Sequence, residues 1–184
     1  MKQQLKTLFF VLFCLLVSIS NTLAAERVPL WGASFYGMTL NEVLASVPHA
    51  QSTPSNDTPP PADHNLQALA MLDSIEISGE TFKGWFMFNN GKLNEVILTL
   101  VPKLNDTTGA YSEYIKALYT HYVMLLTAKY GEPISQSWQD FAPSNMHFWN
   151  TQWVVNSTNI DLTVEKTQLE ISYGAQYAEA LKNL

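Results

Sequence analysis

The stretch Gly79–Val101, GETFKGWFMFNNGKLNEVILTLV, decides how the rest of the chain is read. Two apolar runs flank Asn89-Asn90-Gly91-Lys92, the turn chemistry of an antiparallel hairpin. Side chains alternate along a strand with a period of two, so Phe82, Phe86 and Phe88 point one way and Trp85 and Met87 the other. In the second run Val96, Leu98 and Leu100 share one parity. A strand with bulky apolar residues on both sides needs a cover on each. The unanswered side is that of Trp85.

Working outward, Leu69, Met71, Ile75 and Ile77 share one parity ahead of Ser78-Gly79-Glu80, which predicts a third strand and a second hairpin. Further upstream, GMTLNEVLASVP (residues 37–48) carries Thr39 and Glu42 at capping-box spacing. Leu40, Val43, Leu44 and Val47 follow at helical spacing, and Pro48 ends the helix. Between helix and strands, QSTPSNDTPPPADHN (residues 51–65) gathers prolines and small polar residues without apolar periodicity and reads as a loop. Downstream of a polar break at 105–111, Tyr111, Tyr114, Ile115, Leu118, Tyr122, Leu125 and Leu126 form a broad apolar helix face. Gly131 stands at its C-terminal cap and Pro133 just beyond. Strand-like runs follow at 146–155, 159–165 and 168–173, and the final GAQYAEALKNL predicts a short terminal helix.

Helix then three strands, twice, predicts an α+β protein of two tandem helix-plus-three-antiparallel-strand units, with the helices on one face of the sheet. The first unit spans 26–104, with the proline-rich loop at 51–65, and the second 105–184. A single sandwich or barrel with incidental helices is the competing architecture. The helix start Gly37-x-Thr39-x-x-x-Val43 and the turn at Gly91 resemble the SmpA/OmlA domain of outer-membrane assembly factors and the β-lactamase-inhibitor-protein fold, small exported bacterial proteins. The inhibitor has two helix-plus-hairpin units in tandem. The resemblance implies a binding or scaffolding role and brings no catalytic residues. Two features depart from it: those assembly factors are usually lipoproteins and the inhibitor is held by disulfides, whereas this chain offers neither an acylation site nor a cysteine pair.

The first 25 residues, MKQQLKTLFFVLFCLLVSISNTLAA, set Lys2 and Lys6 ahead of an apolar run from Leu8 to Val17 and small residues at Ala24 and Ala25. That is the layout of a secretory signal peptide, cleaved after Ala24 or Ala25, and the run is shorter than the ~20 residues of a membrane span. The only cysteine, Cys14, lies inside it, preceded by Phe13 rather than by the small residue of a lipoprotein signal. Disulfides, thiol nucleophiles and thiolate metal sites are thereby excluded from the mature chain. A cysteine-free exported chain suggests a bacterial periplasmic or secreted protein. The Asn-x-Ser/Thr triplets at Asn56, Asn105 and Asn156 then read as chance matches. Removing the signal takes two lysines and no acids, moving the balance from 10 − 16 = −6 to 8 − 16 = −8. An acidic chain without Lys/Arg clusters argues against nucleic acid or an anionic membrane surface as partner.

No Gly-x-Ser-x-Gly pentapeptide occurs, and the histidines, His49, His64, His121 and His147, fall at no metal-ligand spacing. Asp63-His64 in the proline-rich loop is the only adjacent acid–histidine pair. Neither catalytic residues, nor a metal site, nor a cofactor is therefore expected, and the protein reads as non-enzymatic. The aromatic residues carry the functional expectation. Trp85, Met87, His147, Trp149 and Trp153 are the candidate surface for a protein or peptide, because tryptophan and methionine are enriched at interface centres. Packing of these faces within the chain is the other reading. The expected function is an exported protein-binding module of inhibitor, immunity or envelope-assembly type, with a homodimer as a further way to cover the tryptophan face. A small-ligand carrier and a carboxylate/His hydrolase are the alternatives.

Overall fold

The computed structural model describes residues 27–54, 57, 59, 65–103, 109–141, 146–166 and 168–176. Helix α1 (Leu40–Ser46) is followed by strands β1 (Gln51–Ser52), β2 (Gln67–Ile77), β3 (Glu80–Asn89) and β4 (Lys92–Leu100). Helix α2 (Gly109–Tyr130) then leads into β5 (Ser135–Phe141), β6 (Met146–Val155), β7 (Thr158–Glu165) and β8 (Gln168–Ala175). All the strands belong to one antiparallel sheet, in the order β1-β2-β3-β4-β8-β7-β6-β5. The first 25 residues, where a signal peptide was expected, the pair Asp63-His64 and the residues beyond Gln176, where a terminal helix was expected, lie outside the described residues.

This corrects the expected tandem units. β4 pairs with β8 through Glu95↔Gly174, Ile97↔Ser172 and Thr99↔Glu170, so both stretches of strands share one hydrogen-bonded ladder. α2 belongs to neither stretch alone. Its Tyr122 hydroxyl donates to the Ile77 carbonyl at 2.8 Å, and its Tyr119 hydroxyl stands 2.7 Å from Thr151 Oγ1. The amino-terminal segment crosses over as well, since the Thr158 hydroxyl donates to the Pro29 carbonyl. One core therefore forms, holding Val43 of α1, Ile115, Tyr119 and Tyr122 of α2, Phe82, Phe86 and Leu98 of the first strands, and Trp149, Trp153 and Leu162 of the last.

Local signals acted as read. Asn90 and Gly91 adopt φ of 49° and 73° between β3 and β4, the left-handed pair that a two-residue hairpin turn requires, and Asn156 and Ser157 repeat it at 49° and 63°. The capping box is formed, with the Thr39 N–H donating to Glu42 Oε2 at 2.8 Å and the Glu42 N–H to Thr39 Oγ1 at 3.3 Å. Elsewhere the parity of the sequence misleads. An irregularity between Leu72 and Ile75 shifts the register of β2, so Ile75 and Ile77 join Leu72 on the helix side while Met71 faces away. Gly84 is the consequence on β3, because a Cβ there would stand 2.8 Å from Ile75 Cδ1. β5 has no sequence signal beyond Trp138 and Phe141. It is an edge strand whose residues from Ser135 to Asp140 are exposed.

Leu98 is fully buried and lies opposite Gly84 on one side and Ile171 on the other, at the join. Truncation there removes contacts to both stretches of strands at once. Leu98→Ala is expected to destabilise by about 2–5 kcal/mol. Denaturation followed by tryptophan fluorescence and far-UV circular dichroism should give one coincident transition for both wild type and variant. Two separable transitions would contradict a single core.

Candidate functional site

The five sequence-selected residues do not form one surface. Trp85 and Met87, 3% and 1% exposed, belong to a small second cluster with Met71 and Ile97 on the side of the sheet away from the helices. Trp149 and Trp153 are buried in the main core under α2, and the helix covers the tryptophan side of β6, leaving Phe148 on the other. The tryptophans are thus on opposite faces. α2 presents tyrosines where the first strands present phenylalanines, and Tyr119 packs tilted on Trp149 at 5.4 Å between ring centroids. The indole of Trp149 donates to Asp140 Oδ1 at 2.7 Å and that of Trp153 to the Gly131 carbonyl at 3.0 Å.

The cover over Trp85 comes from Lys83 on its own strand together with Asp57 and Pro59. Lys83 Nζ lies 5.1 Å from the centroid of the indole ring, held by Asp57 at 3.0 Å and Asp73 at 3.8 Å. Pro59, Lys83, Trp85, Thr99, Gln168 and Glu170 line a groove of about 620 Å³. Trp85 Nε1 and Thr99 Oγ1 are buried there with no hydrogen-bond partner among the described residues. A buried polar group left unpaired costs about 1–3 kcal/mol, so two such atoms in one groove are a local cost to the fold.

Gln168 and Glu170 also line a neighbouring groove of about 490 Å³, shared with Phe148, Asn150, Thr163 and Glu165. Apart from Phe148 and Val154, this face over β5–β8 is polar. None of Ser137, Gln139, Asn150, Asn159, Asp161, Thr163, Glu165, Gln168, Glu170 or Ser172 is buried, whereas the alternate residues of β7 and β8 are. At the meeting point of the two grooves, partial burial and the like charges of Glu95 and Glu165 push the Glu170 carboxyl up from 4.5 to about 7. No cation pairs with it among the described residues.

His147 is the one selected residue with a chemical neighbourhood. Its Nδ1 stands 2.8 Å from Asp140 Oδ1 and its Nε2 2.6 Å from the hydroxyl of Ser112, in the first turn of α2. Its ring also stacks, tilted, on Trp149 at 4.6 Å. The hydrogen bonds from His147 and then Trp149 hold the Asp140 carboxyl below its ordinary range. Ser112 and Asp140 were not selected from sequence: they lie 35 and 7 positions from His147, at no motif spacing. Among the described residues no group of three or more His, Cys, Asp and Glu is arranged to hold a metal ion, and no helix is long and apolar enough to cross a membrane.

Glu170 makes stability depend on pH in a definite direction. Its folded pKa lies above the unfolded value, so the folded state keeps a proton that the unfolded chain releases. The stabilisation is complete below about 4.5 and is lost as the pH rises through about 7. The shift is equivalent to roughly 3 kcal/mol. Denaturant titrations at pH 5 and pH 8 should therefore show Glu170→Gln losing less stability than wild type between the two. Equal losses would remove Glu170 as the source.

Compared with known proteins, the chain matches no family model, no curated protein and no solved structure.

Proposed function

We propose that this protein is an exported binding module that takes a protein partner on the open, polar face of β5–β8, with Glu170 receiving a basic side chain. The observation that carries this reading is the meeting of the two grooves at Glu170. Among the described residues, a carboxyl without a cation lies there beside an indole N–H and a threonine hydroxyl that both lack partners. A peptide segment offers a lysine or arginine for the carboxyl and, once Lys83 moves off the indole, a carbonyl to accept from Trp85 Nε1. The charge of the face supports it. Glu95, Asp161, Glu165 and Glu170 are set against Lys166, while Lys83 is already engaged by two aspartates. Complementary charge of this kind raises association rates and selects partners. Export rests on the leader-like first 25 residues.

A small-ligand carrier is the second reading, favoured by the 620 Å³ groove with its two unpaired polar atoms. The two readings differ in what purified protein retains. Native mass spectrometry showing a stoichiometric small molecule, lost in Trp85→Phe, would select the carrier.

For the protein-binding reading, wild type, Glu170→Lys, Asn150→Arg and Met124→Ser are compared as baits in envelope extract. Asn150 lies on the open face and Met124 is exposed on α2. One partner should be captured by wild type and Met124→Ser, should be lost from both open-face variants, and should weaken with rising salt. A partner captured equally by all four folded proteins would refute the assignment of the face.

A further inference from the structure

The Ser112, His147 and Asp140 side chains form a continuous hydrogen-bonded chain on the helix side of the sheet, away from the open face. Its polarity follows from the acid. Asp140 is held ionised by the two hydrogen bonds it accepts, and a carboxylate can only accept. The proton between it and the ring therefore sits on Nδ1. In the neutral imidazole Nε2 is then the acceptor, and the Ser112 hydroxyl donates to it at 2.6 Å. The Trp149 indole, donating to the same Asp140 oxygen at 2.7 Å, and its stacking on the imidazole fix both the acid and the ring. This is the arrangement in which serine is activated as a nucleophile: base on the hydroxyl, acid on the far nitrogen.

Ser112 also lies where negative charge is favoured. It is in the first turn of a helix of 22 residues, whose leading backbone N–H groups have no partner within the helix. Beside the chain, on β5, Trp138 is 47% exposed and packs on both Trp149 and Tyr119, at 4.7 and 5.0 Å between centroids. That leaves an apolar shelf two residues from Asp140.

We propose that Ser112, His147 and Asp140 constitute a hydrolytic site for carboxylic esters with an apolar acyl group, the acyl group lying against Trp138. Ser112 Oγ attacks the ester carbonyl carbon, forming the Oγ–C bond as its proton passes to His147 Nε2. The tetrahedral species collapses, the C–O bond to the alcohol breaks, and the departing oxygen takes the proton from Nε2. Water then adds to the acyl-serine with Nε2 as base, the Oγ–C bond breaks, and Oγ recovers the proton. One ester and one water give one acid and one alcohol. Ser112 and His147 are the catalytic residues, and Asp140 is a positioning residue that acts through His147. The site lies on the opposite face from the proposed partner surface and does not depend on it.

The test is covalent labelling of the full chain with a fluorophosphonate probe, mapped by peptide mass spectrometry, with hydrolysis of p-nitrophenyl butyrate measured in parallel. Ser112 should carry the probe in the native protein and not in urea. Ser112→Ala should lose both labelling and turnover. His147→Gln, and Asp140→Asn with its circular dichroism unchanged, should label roughly a hundredfold more slowly or worse. Met124→Ser should label as wild type. A folded wild type with no adduct on Ser112, or turnover that survives Ser112→Ala, overturns the site. Undiminished labelling in a folded Asp140→Asn overturns the role of Asp140.

Discussion

Pairing of β4 with β8 is the contact on which the remaining architecture rests. It places Val96 and Leu98 beside Tyr173 and Ile171 in one ladder, so the buried side chains of both chain segments meet under the same two helices. Without that ladder, β4 and β8 would each present an open edge of backbone donors and acceptors, and neither set of strands would have enough cover for its apolar side. With it, α2 lies across the join, bonded to Ile77 on one side and to Thr151 on the other. The same pairing sets Thr99 opposite Glu170, which is how the groove beside Trp85 comes to have a carboxyl in it.

The two sides of the sheet consequently do different chemistry. The helix side is apolar and closed except at its β5 margin, where Asp140, His147 and the exposed Trp138 come to the surface. The other side is divided. Over β2–β4 it is partly covered by Lys83, Asp57 and Pro59, and over β5–β8 it is open and rich in amides, hydroxyls and carboxylates. Trp85 stands at the boundary, buried by one part and lining the groove that leads to the other.

What could be read from sequence was local. Alternation separated Phe82, Phe86 and Phe88 from Trp85 and Met87 correctly, because the period of two is a property of one strand. Asn90-Gly91 fixed a turn and Gly131 a helix end for equally local reasons. The partnership of β4 and β8 involves residues far apart in the chain, and nothing in either strand names the other. Which face of β6 lies under a helix was not legible, because both of its sides carry large apolar residues, and only the tyrosines of α2 decide which is covered. The register shift near Ile75 has no marker except, on the next strand, Gly84. The candidate sites were still less legible. Glu170 is one carboxylate among many until its place at the grooves' meeting point, half-buried beside Glu95 and Glu165, is seen, and His147 acquires meaning only when a helix brings Ser112 to one nitrogen and β5 brings Asp140 to the other.

The strand order also dictates when the molecule can become itself. Residues 95–99 must wait for residues 170–174 before the central ladder closes, so most of the chain has to be available before the core is complete. Such long-range closure is entropically costly and slows folding relative to helical or hairpin-dominated chains. Until the last strand arrives, the β4 edge, with Val96 and Leu98 beside it, remains a template for any other extended segment. Among the described strands, β8 is therefore the one that joins the two stretches into a single sheet.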